Sequence, residues 1–432
     1  MHKKSDLNYV ERHEILAKLQ KHITNCQHSK ELLGAMVLYI HDISKITATL
    51  GYKIANKLLH QIVKRLTTAL KDIEAVRIGE HRFLLILPKV LSPGHATLAA
   101  NKILRTLDEE FFEIKGNRFT PVVTLGVALC PDHAIEPESL LQKAELAIES
   151  ADSSSRSIIY SPELAEKIAE NWELEGELDT GLENGELTLF YQPKILTQNW
   201  IPRGAEALMR WENPNRGNIP PDVFIPLAER TGKIHELTVF AINTALRQLS
   251  EWPTKWGRLS VSINVTPSTV QDASLVDIIK DAISIWGIES KQLVIELTET
   301  AIMADPDACF STLNQIRNLG VGVSIDDFGT GYSSMAYFKN IPANELKVDK
   351  SFVFRMIEDK ADEKIVRSII RLAHEFDLRV VAEGVEDLQT LKMLAEMECD
   401  YGQGYYLARP QPLEEFLDWL ENFDSNKLLD QN

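Results

Sequence analysis

From residue 187 to residue 408 the chain repeats one unit: a short apolar run, a polar or acidic residue at or near its end, and then a helical stretch. The runs fall at 187–193, 205–211, 259–265, 293–298, 321–326, 345–349, 379–383 and 401–408. Helical patterns at 240–249, 275–286, 309–319, 365–376 and 388–397 separate most of them. Strands that alternate with helices form parallel sheets, because each crossover helix carries the chain back to the edge from which the next strand starts. Eight such strands within about 250 residues predict a (β/α)8 barrel, with an open doubly wound sheet as the other arrangement of the same pattern. The strand ends separate the two. Glu206, Asn264, Glu296, Asp326, Asp327, Lys347, Glu383, Glu386 and Gln403 lie on or near seven different runs, as expected where one barrel mouth gathers them into a single site.

The run at 321–326 carries the densest chemistry. Val321, Val323 and Ile325 alternate with small residues, and two adjacent carboxylates, Asp326 and Asp327, close the run. Neighbouring side chains on a strand point to opposite faces, so both can serve one site only where the strand gives way to a loop. Gly329 and Gly331 mark that junction. A glycine-closed Asx turn would use the same residues, and the repetition of acidic strand ends is what favours a site. Lys347, between Leu346 and Val348, is another charge inside an apolar run, where an ammonium facing the mouth can hold water and offset negative charge.

Composition sets outer limits. A chain of 432 residues exceeds one ordinary core and predicts two or three domains, and 44% hydrophobic with 25% charged residues is the mixture of a soluble globular protein. The net charge of −17 opposes non-specific attraction to nucleic acid or anionic membrane, although a local basic pocket can still hold a phosphate. No apolar run follows His2, Lys3 and Lys4, and no window forms a charge-free membrane span, so a cytoplasmic protein is expected. Cys26, Cys130, Cys309 and Cys399 lack metal-ligand spacing and read as buried thiols in a reducing compartment.

Ahead of the repeating half, Ile15, Leu16, Leu19 and Ile23 form an amphipathic helix within 10–23. Strands at 34–40, 82–87 and 121–128 and helices at 54–70, 98–107 and 137–151 predict an α/β or α+β domain of about 150 residues. A short extended piece at 158–160 precedes a helix that Pro162 opens and Leu174, Leu178 and Leu182 continue. No flexible linker intervenes, so this helix is read as a lever. The expected organisation is an N-terminal helix at 1–29, a domain at 30–160, a connecting helical segment at 161–183 and the barrel at 184–425.

The first domain resembles the GGDEF (diguanylate cyclase) family over roughly residues 30 to 160, through Thr49-Leu50-Gly51-Tyr52, Val123-Thr124-Leu125-Gly126-Val127-Ala128 and the hairpin Arg77-Ile78-Gly79-Glu80-His81-Arg82-Phe83. The resemblance implies an Asp pair for two metal ions, where this chain has Tyr39 and His41. It implies a polar pair for guanine where Thr47 and Ala48 stand, a phosphate-binding Lys where Asp152 stands, and an inhibitory RxxD motif that falls on Leu70 and Ile73. A site without anionic metal ligands leaves a triphosphate unneutralised, so this domain is expected to be inactive and regulatory, with a protein partner as one use. His41 and His81 as a new metal pair lack a third ligand and read as structural.

The second half resembles the EAL family of metal-dependent cyclic di-GMP phosphodiesterases. The match runs in order through Tyr191-Gln192-Pro193, Glu206-Ala207-Leu208-Met209-Arg210-Trp211, Asn264, Glu296-Leu297-Thr298-Glu299, Asp326-Asp327-Phe328-Gly329-Thr330-Gly331, Lys347-Val348-Asp349, Ala382-Glu383-Gly384-Val385-Glu386 and Gln403-Gly404-Tyr405, within 174–420. The resemblance implies a modified TIM barrel with one antiparallel strand, cyclic di-GMP as substrate and a homodimer through this domain. Glu206, Asn264, Glu296 and Asp326 offer only oxygen ligands, which suits Mg²⁺ or Mn²⁺ rather than zinc. Two such ions about 3.5 to 4 Å apart would share Asp326, with Asp327 and Glu383 completing the ligand set of the second ion and Gln403 orienting one of its waters. Lys347 is assigned to the attacking water, Glu386 to orienting Lys347 or its loop, and Arg210 to a phosphate oxygen. Gln192, Asp349 and Pro410 are assigned to the nucleotide pocket. The loop 328–334, with Thr330, Ser333 and Ser334, is expected to couple the dimer interface to metal binding. A receptor that binds cyclic di-GMP and signals to a partner without turnover is the alternative function.

Overall fold

A computed structural model describes residues 10–29, 31–70, 72–151, 155–330 and 339–430. Asp152, Gly331, Ser333, Ser334 and the segment 335–338 therefore lie outside the described residues. The chain divides into two compact units, Met1–Glu173 and Leu174–Asn432. The division falls inside the helix Pro162–Glu183, whose Leu174 and Leu178 are buried with Leu187, Trp211 and Phe224 of the second unit.

In the first unit the strands are β1 (Leu32–Ile40), β2 (Glu74–Arg77), β3 (Arg82–Val90), β4 (Phe112–Ile114), β5 (Asn117–Phe119), β6 (Val123–Cys130) and β7 (Ser157–Ile159). Five of them form a sheet in the order β2-β3-β1-β6-β7, with β1 antiparallel to both neighbours. The period of two decides what packs where. Met36, Leu38 and Ile40 face the helices Tyr52–Ala69 and Pro93–Asp108, while Leu33, Ala35 and Val37 face Arg12–Ser29 and Pro137–Glu149. Covering both faces makes β1 and β6 continuously apolar, which is why they were legible as strands. The sequence reading missed the helix Ile43–Leu50, the polar edge strand β2 and the hairpin β4–β5. Lys115 and Gly116 turn that hairpin with φ of 52° and 82°, the twist a two-residue turn needs.

In the second unit, β8 (Leu187–Leu196), β9 (Pro202–Asn213), β11 (Ser260–Asn264), β12 (Leu293–Thr298), β13 (Gly322–Phe328), β14 (Glu345–Val348), β15 (Arg379–Ala382) and β16 (Tyr401–Gln403) close into a barrel; β10 (Gly217–Ile219) and β17 (Gln411–Pro412) are additions at its edges. β8 is antiparallel to both β9 and β16, and the remaining neighbours are parallel, so the expected barrel with one reversed strand is the one found. The run expected at 401–408 stops at Gln403. A side chain at Gly404 would sit 2.2 Å from the Val385 backbone, and Tyr406 and Leu407 continue in a turn hydrogen-bonded to Val385 and Gly404. All four cysteines are free and buried, and among the described residues no helix is long and apolar enough to cross a membrane.

Two glycines test the packing. A Cβ at Gly126 would meet the Ala144 carbonyl oxygen at 2.0 Å, whereas one at Gly176, inside Pro162–Glu183, meets nothing within 4 Å. Gly126→Ala should cost about 3 kcal/mol, as overpacking against backbone does. Gly176→Ala should stabilise by about 0.5 to 1 kcal/mol through helix entropy. Urea denaturation of both variants checks the pair, and equal effects would disprove the packing assigned to β6.

Candidate active site

The register of the barrel stacks the polar residues before any side chain is considered. Glu206 of β9 lies beside Gln192 of β8 and Ser262 of β11; Asn264 lies beside Glu296; Thr298 lies beside Asp326. The inward side chains of these positions meet at the C-terminal ends of the parallel strands.

Lys347 of β14 is the centre of the group. It is 1% exposed, and its Nζ donates to Glu206 Oε2 at 3.2 Å, Glu296 Oε2 at 2.8 Å and Asp326 Oδ2 at 3.1 Å, and pairs with Glu383 Oε1 at 2.7 Å. One layer deeper, Lys194 of β8 donates to Ser262 Oγ at 2.6 Å and to Glu296 Oε1 at 2.8 Å, and lies 3.5 Å from Glu345 Oε1. Glu296 thus sits fully buried between two ammonium groups. Burial alone would raise its carboxyl, but Lys194 and Lys347 outweigh burial and pull it down to about 2. Burial also opposes the charge on Lys347, yet four surrounding carboxylates hold it well above the ordinary lysine range. Asp326 moves the other way: burial pushes it up, Lys347 opposes, and Glu383, Glu296 and Glu206 add to the rise. Burial raises Glu383 and Asp327 as well, the latter with help from Asp349.

Asp326 and Asp327 reach one mouth by a route the sequence reading did not give. The strand does not end at Asp326; β13 continues to Phe328 through a bulge, three steps on β13 from Ile325 to Phe328 matching two on β14 from Leu346 to Val348. Asp327 takes φ of 54°, a left-handed conformation uncommon outside glycine, and this rotates its carboxylate to the side that Asp326 faces. The Asp327 amide donates to Asp326 Oδ1 at 2.9 Å. Just beyond, Gly329 (φ 101°) donates its amide to Glu299 Oε2 at 2.9 Å, and Thr330 Oγ1 donates to the Asp327 carbonyl. Glu299 is 2% exposed and fixes the turn after the bulge.

Around Glu206 the amides form a cradle. Asn264 Nδ2 donates to Glu206 Oε1 at 2.6 Å, Gln403 Nε2 donates to Glu206 Oε2 at 2.7 Å and to Gln192 Oε1 at 3.1 Å, and Gln192 Nε2 donates to the Ala408 carbonyl. Gln403 Oε1 is buried with no hydrogen-bond partner. A cleft of about 330 Å³ opens over this cradle, walled by Gln192, Glu206, Asp326, Glu383 and Tyr405. Arg210 is half-buried, lies 5.4 Å from the Phe190 ring centroid and donates to the Met209 carbonyl. Asp349 caps the helix Lys350–Val353 by accepting from the Ser351 amide at 2.9 Å, and Pro410 is partly exposed ahead of β17. Glu386 is exposed on the cleft wall and makes no bond to Lys347; that lysine is oriented by Glu206, Glu296, Asp326 and Glu383 instead, because β14 buries it below the loop that carries Glu386.

The sequence reading did not single out Lys194. Its signal was the same as that of Lys347, a lone charge inside an apolar strand run. His235 and His374 pair with Asp272 and Asp400 at 3.1 and 3.0 Å and do not line the cleft. In the first unit His41 and His81 flank Tyr39 with ring centroids 4.7 and 5.5 Å from it, and His41 Nε2 contacts Thr124 Oγ1 at 2.7 Å.

The donor set fits hard divalent cations. Ligand atoms of Glu206, Glu296 and Asp326 lie within 4.8 Å of one another, and so do those of Asp326, Asp327 and Glu383. Asp326 belongs to both groups. Every donor is oxygen, the partnerless Gln403 Oε1 adds another acceptor, and five carboxylates set against Lys194 and Lys347 leave a surplus of three negative charges when all are ionised. A buried surplus of that kind requires cations or protons.

Comparison with known proteins places these features. The EAL domain family matches residues 175–410, and the family described as diguanylate cyclase, GGDEF domain, matches residues 10–157. The bifunctional diguanylate cyclase/cyclic di-GMP phosphodiesterase MucR of Pseudomonas aeruginosa is 30% identical over 407 residues, covering 93% of this chain and 59% of MucR. The cyclic di-GMP phosphodiesterase NbdA of the same organism is 33% identical over 432 residues, covering 96% of this chain and 55% of NbdA. The chain therefore spans little more than half the length of these relatives. The solved structure of PaMucR phosphodiesterase in its c-di-GMP complex aligns with a TM-score of 0.54 and 40% identity, over 56% of this chain and 99% of that one.

Removing Lys347 tests the charge balance. Lys347→Ala in a chelating buffer should lose about 3 to 5 kcal/mol, the usual cost of stripping one partner from a buried ion pair. Mn²⁺ should restore more stability to the variant than it adds to the parent, since the ion replaces the missing positive charge. Thermal melts with and without Mn²⁺ measure this, and a gap that the ion leaves unchanged would rule out metal binding among these carboxylates.

Proposed function

The chain belongs to the EAL family and carries a GGDEF domain ahead of its EAL domain, and from that premise we propose that it hydrolyses cyclic di-GMP to linear pGpG with two Mg²⁺ or Mn²⁺ ions. The observation that carries this reading is the pair of overlapping carboxylate groups at the barrel mouth, joined through Asp326. Glu206, Asn264, Glu296 and Asp326 would hold one ion, and Asp326, Asp327 and Glu383 the other. Bound ions of this type polarise a phosphodiester and lower the pKa of the attacking water.

The chain's own residues supply position and charge. Gln403 and Asn264 donate to the two Glu206 oxygens and fix the plane of that carboxylate. Lys194 does the same for Glu296 from below, so neither ligand has to reorganise during turnover. Lys347 is the buried ammonium at the mouth, while Lys350 lines the cleft above it; Lys347 is already surrounded by acceptors, which suits it to orient water and to counter charge that builds on phosphorus. Arg210 would hold a non-bridging oxygen. The water adds to phosphorus, the bond from phosphorus to one ribose 3′ oxygen breaks, and the proton passes to that leaving oxygen, which opens the ring and leaves a 5′ phosphate.

The GGDEF domain is assigned a regulatory rather than a synthetic role. Tyr39 is enclosed by His41, His81 and the Arg82 guanidinium, 5.4 Å from its ring, so aromatic and cationic groups occupy the place where the resemblance implies acidic metal ligands. A homodimer through the EAL domain and a protein partner for the GGDEF domain belong to the same reading.

Incubation of the purified chain with cyclic di-GMP and Mg²⁺ or Mn²⁺ should yield pGpG by chromatography, with Glu206→Ala reducing the rate at least about a hundredfold through loss of an ion. Substrate recovered intact with both ions, although bound, would favour the receptor. Calorimetry with GTP should show no micromolar binding, and incubation with GTP should form no cyclic di-GMP; micromolar affinity would overturn the expected loss of GTP binding, and synthesis would overturn the regulatory assignment.

A further inference from the structure

The opposite end of the barrel holds a second concave site. A cavity of about 420 Å³ opens where the parallel strands begin, at Arg203 of β9, Ser260 of β11, Gly322 of β13, Glu345 of β14 and Arg379 of β15. Its rim carries Arg203, Arg258, Lys291, Arg317 and Arg379, and its floor is the buried pair Lys194 and Glu345. Six cations thus surround a space lined by one carboxylate, in a chain whose net charge is −17.

Local pairing accounts for only part of this charge. Glu289 pairs with both Arg258 and Lys291, and Glu345 lies 3.9 Å from Arg379 while also facing Lys194 at 3.5 Å. Among the described residues, neither Arg203 nor Arg317 makes an ion pair. Residues at this end of a TIM barrel ordinarily serve stability. Like charges gathered around one cavity do the reverse, since each repels the others, and a stabilising arrangement would intersperse acids. Guanidinium groups also have the planar fork that matches phosphate oxygens two at a time. The concavity and its size suit a small molecule rather than a duplex, whose approach the overall negative charge opposes.

We propose that this basal cavity is a binding site for a small polyanion bearing a phosphate chain, gripped by Arg203, Arg317 and Arg379 and separate from the carboxylate mouth. The proposal does not rest on cyclic di-GMP hydrolysis, because none of these arginines contacts the mouth.

The test is calorimetric titration of the full chain with tripolyphosphate at fixed ionic strength, in a chelating buffer so that metal at the mouth cannot retain the probe. One saturable site is expected, weakened at least tenfold in Arg203→Ala/Arg317→Ala with the melting temperature unchanged. Lys280→Ala/Lys364→Ala, an exposed pair elsewhere on the barrel helices, removes the same net charge and should keep the parental affinity. ATP as competitor distinguishes the sources: displacement of tripolyphosphate extends the site to nucleotides, and failure to displace confines it to inorganic chains. Heats no larger than those of chloride at equal ionic strength, or equal losses in the two double variants, would overturn the proposal. Arg379→Lys adds a control on geometry, since a charge retained without the fork should still weaken binding if phosphate oxygens are held in pairs.

Discussion

Burying charge along the barrel axis is the constraint on which the rest of this unit depends. An ordinary barrel fills its interior with layers of branched apolar side chains. Here Lys194, Ser262, Glu296 and Lys347 occupy that place, with Glu345 below and Glu206, Asp326 and Glu383 above. Each isolated charge would cost several kcal/mol to bury, so each can be kept only by a neighbour of opposite sign. The pairing works from the bottom upward until the mouth, where carboxylates outnumber ammonium groups. An excess that no side chain neutralises is the physical definition of a cation site, and it follows from the order in which the strands deliver their charges.

That order explains how much was legible in the sequence. Strands covered on both faces are apolar throughout, and a charge within such a run has few places to go but the barrel interior; this is why Glu206, Glu296, Asp326 and Lys347 were identifiable and why the structure brings them together. Lys194 obeys the same logic but lies on the reversed strand, late in β8, just past the expected end of the run at 193, and so was not singled out. Glu345 was not singled out either: it is the first residue of β14, and the barrel closes around it and leaves it 5% exposed.

The parts that sequence reasoning missed are those whose position depends on long-range pairing. The edge strand β2 has one buried residue, Val76, so it carries no periodic signal of its own and exists because β3 offers it an edge. The bulge in β13 is equally silent. Its presence rests on the mismatch between β13 and β14, and its consequence is that two consecutive aspartates face one mouth while the strand continues past them. Glu386 illustrates the converse. It follows Glu383 by three residues and was assigned to orienting Lys347 or its loop, but β15 ends at Ala382 and the chain turns at Gly384 with φ of 72°, leaving Glu386 exposed on the cleft wall.

The same buried column joins the two ends of the barrel. Arg379 faces Glu345, Glu345 faces Lys194, Lys194 holds one oxygen of Glu296, and Lys347 holds the other. Burial opposes the charge on Lys194 and on Arg379; Glu296 and Glu345 more than restore it on Lys194, and Tyr401 and Glu345 do so on Arg379. A charge that approaches the base must therefore compete with Glu345 for Arg379, and any rearrangement of Glu345 alters what Lys194 can offer Glu296. The polar axis thus does two things at once: it fixes the carboxylates of the mouth from beneath, and it makes their electrostatic environment depend on charges gathered where the strands begin.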